Sequence, residues 1–290
     1  MEAIPVQRTV LVIAPHADDT AAFCGGQVIH FVNEGWRVVM VRVTNDETDS
    51  VGLSREETIH INTEQMHTAA RIMGISEIVE LGYVTDCLGD VSRVELREKF
   101  IRLFRQYRPY SVMSFDPYAR YEPNLDHVVV SQAVEEAYWT ATFDKHHPEH
   151  LAAGLQPHSV CERWYYARQL PEINCVIDIS DVIEQRIDAL SAHVEMMRNT
   201  FNQLKLQAQT WGRRLPLLDD AIKSGNLRPM MSVWLKQRAG RLGAQYGMPF
   251  AEAYRVDRFG GAEGLFQQES VPLLGMEHLP MHHRSIFELP

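Results

Sequence analysis

No apolar run in the 290-residue chain is long enough to cross a bilayer. The stretch Met1 to Thr9 has no charged segment leading into a long apolar one, so no export signal is expected. The four cysteines, Cys24, Cys87, Cys161 and Cys175, form no C-x-x-C pair and no disulfide or zinc-finger spacing. They read as reduced thiols, which together with the missing export signal points to the cytoplasm. There is no basic block, and the net charge is −10, so nucleic acid and membrane are not expected partners. No G-x-G-x-x-G follows the first apolar strand, which removes the motif by which a dinucleotide's pyrophosphate is approached.

What is present is an alternation of strand and helix signals. Val10 to Ala14 is wholly apolar and β-branched, as in a strand covered on both faces. Ala22 to Gly35 has helical spacing, Arg37 to Thr44 is again strand-like, and Ser54 to Met73 reads as a long helix stopped by Gly74. Glu77–Leu81 (strand), Val91–Tyr107 (helix), Tyr110–Phe115 (strand) and Val128–Trp139 (helix) continue the pattern. It predicts an α/β fold, a Rossmann-like, mostly parallel sheet with helices on both faces.

Past Thr142 the pattern loosens. Asp144 to His158 reads as loop, Glu162–Arg168 and Cys175–Ile179 as strands, and Asp181–Gln209 as one long helix capped by Ser180 or Asp181. Trp211–Arg228 reads as irregular, Met231–Tyr246 as helix and Phe250–Val256 as strand or arm. Residues 1–256 are expected to form one catalytic domain. Residues 257–290 are expected to form a C-terminal helical or extended extension, available for contact with a second copy.

In such sheets ligands bind outside the carboxyl ends of the strands. Two polar clusters fall there. Pro15-His16-Ala17-Asp18-Asp19 follows the first strand, and a tight turn can fold His16 and Asp19 toward one point. An imidazole and a carboxylate suit zinc and similar divalent ions. Asp18, between them, is placed to take a proton from metal-bound water. A helix cap accounts for either aspartate alone, but not for two aspartates and a histidine. Pro123-Asn124-Leu125-Asp126-His127 opens a later helix at the same sheet edge. His127 offers a third ligand, which leaves one position open as in catalytic zinc sites. Asp126 either caps the helix or orients a ligand imidazole.

Together the two clusters resemble the PIG-L/LmbE-type zinc deacetylases, in which a His-Pro-Asp-Asp motif after strand one is followed by a His-Pro-Asp-His motif. Gly25-Gly26, Ala69 to Gly74, Leu81 to Asp86, Asp178 to Asp181 and Phe250 to Tyr254 look like further family segments. The resemblance implies Zn2+, or another divalent ion, on His16, Asp19 and His127. It implies Asp18 as general base in deacetylation of an N-acetylglucosamine-type conjugate, a small-molecule substrate. Two departures stand out. Asn124 replaces the second motif's first histidine; it can donate a hydrogen bond to an oxyanion but cannot deliver a proton. Asn62 and Gln65 stand roughly where many relatives carry Arg and Glu. The altered second motif leaves room for an alternative, a zinc-dependent hydratase or lyase acting on an unsaturated carboxylic acid.

Glu47 at the end of strand two, and Arg120 and Tyr121 before the second cluster, are candidate substrate contacts. His146, His147 and His150, with His158 nearby, read as a solvated loop, with a second metal site or a substrate loop as the alternative; Tyr165 and Tyr166 read as strand packing, and Met196, Met197, Met230 and Met231 as core filler.

Overall fold

The computed structural model describes residues 7–273. Its centre is a seven-stranded sheet of order β3-β2-β1-β4-β5-β7-β6. The strands are β1 (Thr9–Ala14), β2 (Arg37–Thr44), β3 (Glu77–Tyr83), β4 (Ser111–Phe115), β5 (Glu162–Tyr166), β6 (Cys175–Asp178) and β7 (Ala251–Arg258). β1 to β5 are all parallel, and β7 runs antiparallel to β5 and β6. The expected α/β sheet is thus present, and β7 continues two residues beyond the expected boundary at 256.

β1 shows why its sequence is apolar without alternation. Val10, Val12 and Ala14 enter one core, with α1 (Gly25–Asn33), α2 (Arg55–Met73), α6 (Ile183–Ser191), α7 (Val194–Thr210), α8 (Pro216–Ser224) and α9 (Arg228–Gly243). Leu11 and Ile13 enter the other, with α3 (Arg93–Tyr107) and α4 (Leu125–Thr140). A strand sandwiched this way has no wet face on which to place polar residues. Met196, Met197 and Met231 lie buried in the first core, with Met230 packed against it.

Local signals set both ends of α2. Ser54 and Glu57 form a reciprocal capping box at the start of α2, and Gly74 closes it in the left-handed conformation at φ 82°. Elsewhere the structure departs from expectation. The helix expected over 181–209 is two helices, broken at His193, whose ψ of 63° is not helical. The break lets α6 lie against α1, α2 and α9 while α7 packs on α2 and α8. Neither Ser180 nor Asp181 caps α6: the Ser180 hydroxyl donates to Asp178 and Asp181 pairs with His30. The segment expected to be irregular contains α8, with Pro216 in its first turn and Gly225 beyond its end, a start and stop that the sequence does carry. Residues 144–158 are not wholly solvated loop. They include α5 (Pro148–Ala152), whose His150 is fully buried and bonded to Glu98 at 2.7 Å. Beyond β7 a short helix, α10 (Glu263–Glu269), follows; residues 274–290 of the expected extension lie outside the described residues.

Candidate metal centre

The carboxyl ends of β1, β2 and β4 meet at one crevice. The turn after β1 is anchored to the end of β2: Thr44 donates both its backbone N–H (2.9 Å) and its hydroxyl (2.8 Å) to the Pro15 carbonyl. Asp46 accepts from the Ala17 N–H at 3.2 Å, from a left-handed backbone (φ 56°) that few aspartates adopt. After Asp19 the chain enters a single π-helical turn, Thr20–Cys24, before α1 begins. Such turns commonly sit beside functional groups.

The π-turn is strapped from behind. Arg186 of α6 donates to the carbonyls of Ala21 (3.1 Å) and Ala22 (2.6 Å) and pairs with Glu252 of β7 at 2.8 Å. Glu252 accepts the first N–H groups of α1, from Gly26 (2.8 Å) and Gln27 (2.9 Å). A Cβ on Gly26 would stand 2.5 Å from Ile179 and 2.8 Å from Glu252, so glycine is required for this approach.

On this scaffold His16, Asp19 and His127 converge, all buried. His16 Nδ1 is 3.2 Å from His127 Nε2 and 3.3 Å from Asp19 Oδ2, while His127 Nε2 is 3.4 Å from Asp19 Oδ1. Donor atoms held about 2.0–2.1 Å from a tetrahedral cation stand roughly 3.4 Å apart, so the two imidazole nitrogens are spaced as a pair of ligands, and Asp19 offers one carboxylate oxygen to each of them. The outer ring nitrogens face carboxylates: His16 Nε2 lies 3.4 Å from Asp126 Oδ2, and His127 Nδ1 lies 3.1 Å from Glu122 Oε1. Protons held on those outer nitrogens leave lone pairs on the two that face each other, an arrangement favourable around a cation. The residues present therefore fit a divalent ion.

The electrostatics agree. Burial would lower the pKa of His16, but Asp126 and Asp19 outweigh it and raise it well above the usual value. His127 is raised in the same way, by Asp19 and Glu122 against its burial. Asp18 makes none of these contacts; burial and the charge of Asp19 push its carboxyl up to about 8, against the pull of His16.

The second cluster is divided between structure and site. Asn124, not Asp126, caps α4: its Oδ1 accepts from the N–H groups of Asp126 (2.9 Å) and His127 (3.4 Å). Asp126 is fully buried and accepts from the N–H groups of Asp86 (2.7 Å) and Leu88 (3.3 Å) while facing His16. Glu47 is turned away to Arg55, at 2.8 Å. Arg120 and the 88% exposed Tyr121 stand in solvent, and among the described residues no contact joins them to the cluster.

Sequence reasoning overlooked three acids. Asp46 and Asp49 gather with His16 as a second set of close ligand atoms; burial pushes Asp46 up to about 6 and Asp49 up to about 7. Asp46 sits in the strand-end segment from which Glu47 was singled out, and its neighbour's side chain simply points elsewhere. Glu122, five residues before His127, carried no motif. Asn62 donates to the carbonyls of Asp46 and Asp49, both at 3.3 Å, so it shapes this loop. Tyr165 and Tyr166 are buried in packing, with the Tyr166 hydroxyl on the Ile13 carbonyl at 3.0 Å.

Residues 11–138 match the profile of the PIG-L family, described as GlcNAc-PI de-N-acetylase. The diacetylchitobiose deacetylase of Thermococcus kodakarensis is 30% identical over 191 residues, 64% of this chain and 69% of that one. The chain belongs to the PIG-L family. Among solved structures, the N,N'-diacetylchitobiose deacetylase of Pyrococcus horikoshii superposes with a TM-score of 0.71 at 22% identity, over 92% of this chain and 88% of that one. The 4-carboxy-2-hydroxymuconate hydratase of Pseudomonas putida KT2440 superposes with a TM-score of 0.62 at 14% identity, over 86% of this chain and 96% of that one, a likeness of fold alone. The PIG-L match spans both polar clusters, from β1 into α4. Among the described residues, no helix is long and apolar enough to cross a membrane.

Proposed function

We propose that this chain is a zinc-dependent N-deacetylase that hydrolyses the acetamide of an N-acetylglucosamine-type conjugate. The observation that carries the reading is the facing pair of imidazoles with Asp19 completing a ligand face, beside an uncommitted carboxyl, Asp18. The related diacetylchitobiose deacetylase supports the substrate class.

His16, Asp19 and His127 would hold the ion. When bound, a divalent ion polarises the amide carbonyl and acidifies water. The charges of Asp126 and Glu122, facing the outer nitrogens, favour protons there on His16 and His127, so both rings present lone pairs to the ion. Asp18 takes the proton from the attacking water as general base. It then returns that proton to the departing amine, since Asn124 has none to give. With its Oδ1 committed to the helix cap, Asn124 has only Nδ2 to offer a developing oxyanion. Asp49, half-buried, borders the crevice as a further polar contact for sugar hydroxyls, with the fully buried Asp46 behind it.

The test is Asp18→Asn. Zinc content should match the wild type, while acetate release from an acetylated amino sugar should fall by about 10²–10⁴-fold, the range lost with a general base. Retained turnover removes Asp18 from the chemistry. Loss of a conjugated ultraviolet band from an unsaturated acid, without acetate release from any acetylated sugar, replaces the deacetylase with a hydratase.

A further inference from the structure

Across Phe23 from the metal ligands lies a cavity of about 420 Å³, at the carboxyl end of β5 and beneath α9. Phe23 belongs to the π-turn and packs edge-on to the His127 ring at 6.1 Å between centroids. The cavity is lined by three arginines, Arg168, Arg186 and Arg238, and by one carboxylate, Glu252. In a chain of net charge −10 this is an inversion of sign.

The three arginines are not equivalent. Arg186 is spent on Glu252 and on two carbonyls of the π-turn. Glu252 is spent as well: besides Arg186 it holds the Gly26 and Gln27 N–H groups and the Tyr254 hydroxyl. Arg168 reaches Glu122 at 3.3 Å, which ties the cavity wall to the partner of His127. Arg238 has no carboxylate within ion-pair distance among the described residues. It donates weakly to the Ala167 carbonyl at 3.4 Å and lies over the Phe23 ring at 5.5 Å, with Arg168 over the same ring at 5.4 Å. The Arg238 side chain is open to solvent at one side; crowding by protein atoms and the neighbouring Arg186 push it down to about 10, with Glu252 pulling the other way and Arg168 adding to the fall. Two guanidiniums against one ring, with Leu235 and Leu242 on the wall, offer charge-assisted hydrogen bonds and apolar contact together.

We propose that this cavity binds an organic oxyanion, a carboxylate or phosphate group, held chiefly by Arg238 with Arg168, which lies against the same Phe23 ring. Two sources share that chemistry: an acidic substituent on the substrate itself, or a separate small anion. The binding site stands independently of the deacetylase reading; only the substrate source rests on it.

The probe is inorganic phosphate, titrated calorimetrically into zinc-loaded wild type, Arg238→Gln and Arg238→Lys. Phosphate that reaches the ion itself is common to all three, so the difference reports the cavity. Arg238→Gln should weaken the cavity's binding about tenfold or more, Arg238→Lys should regain part of it, and zinc content should be the same in all three. Equal phosphate affinity in wild type and Arg238→Gln, or no binding in either, overturns the proposal. The source is then read from turnover of N-acetylglucosamine and an N-acetylglucosamine phosphate. If the anion belongs to the substrate, Arg238→Gln raises KM for the phosphorylated sugar more than for the neutral one. If it is separate, phosphate alters turnover of the neutral sugar in the wild type and not in Arg238→Gln. Should neither sugar be turned over, the deacetylase reading fails while calorimetry still decides the site.

Discussion

Replacing Asp126 by Asn removes one charge and no volume, and it should disable the metal centre from a distance. The buried carboxylate receives three donors: the N–H groups of Asp86 (2.7 Å) and Leu88 (3.3 Å), and the His16 ring at 3.4 Å. An amide offers one acceptor oxygen and an NH2 that only donates. If the oxygen takes the Oδ1 place and serves Leu88, the NH2 takes the Oδ2 place and faces both the Asp86 N–H and His16 Nε2, which must then drop its proton. The neutral ring moves that proton to Nδ1, the nitrogen facing Asp19 and His127, and the ligand lone pair is lost. If the oxygen serves His16, a buried backbone N–H loses its acceptor, at a cost of about 1–3 kcal/mol. Disrupting a partner of a ligating imidazole typically costs about 10–100-fold in metal affinity. Zinc affinity of Asp126→Asn should fall within that range when measured by competition with a chromogenic chelator. Asp126→Glu keeps the charge and should retain more of it. Unchanged zinc affinity in Asp126→Asn would refute the claim that Asp126 sets the tautomer of His16.

Two further outcomes bear on the scaffold and on the proton balance. Gly26→Ala forces a methyl into Ile179 and Glu252 and should destabilise the fold by about 1–3 kcal/mol, seen as a lower thermal midpoint; an unchanged midpoint would mean that the π-turn and β7 yield easily. Zinc and protons compete for His16 and His127, whose pKa values in the metal-free protein are raised by their carboxylate partners once burial is overcome. A raised pKa keeps the ring protonated to higher pH, so zinc affinity should climb through neutrality by up to about tenfold per pH unit for each proton displaced. Equilibrium dialysis at pH 6 and pH 8 checks this, and a flat profile would contradict it.

Much was legible in the chain because the decisive signals are local. A β-branched apolar run leaves its strand no wet face, Ser54, Glu57 and Gly74 terminate α2 by their own hydrogen bonding and backbone freedom, and His16, Asp18 and Asp19 are adjacent in sequence. The parallel alternation places the second cluster at the same sheet edge, so the meeting of His127 with His16 and Asp19 follows from connectivity.

What tertiary structure alone decided involves side-chain direction and contacts between remote segments. Nothing in the sequence around 193 marks a helix break; the break lets α6 reach α1 and α9 and α7 reach α8 while both keep contact with α2. Asp46 rather than Glu47 faces His16 because a left-handed residue turns the strand end inward. Glu122, Asp126 and the Arg186–Glu252 strap act on groups from 5 to more than 200 positions away, as with Gly26 and Glu252 at a separation of 226. The positive cavity is assembled from the π-turn, α6, α9, β7 and the end of β5; α9 is basic in sequence, but only the fold sets its Arg238 beside Arg168 and Arg186. Periodicity and caps are written in neighbouring residues, whereas the field at a site is the sum over whatever the fold brings near it.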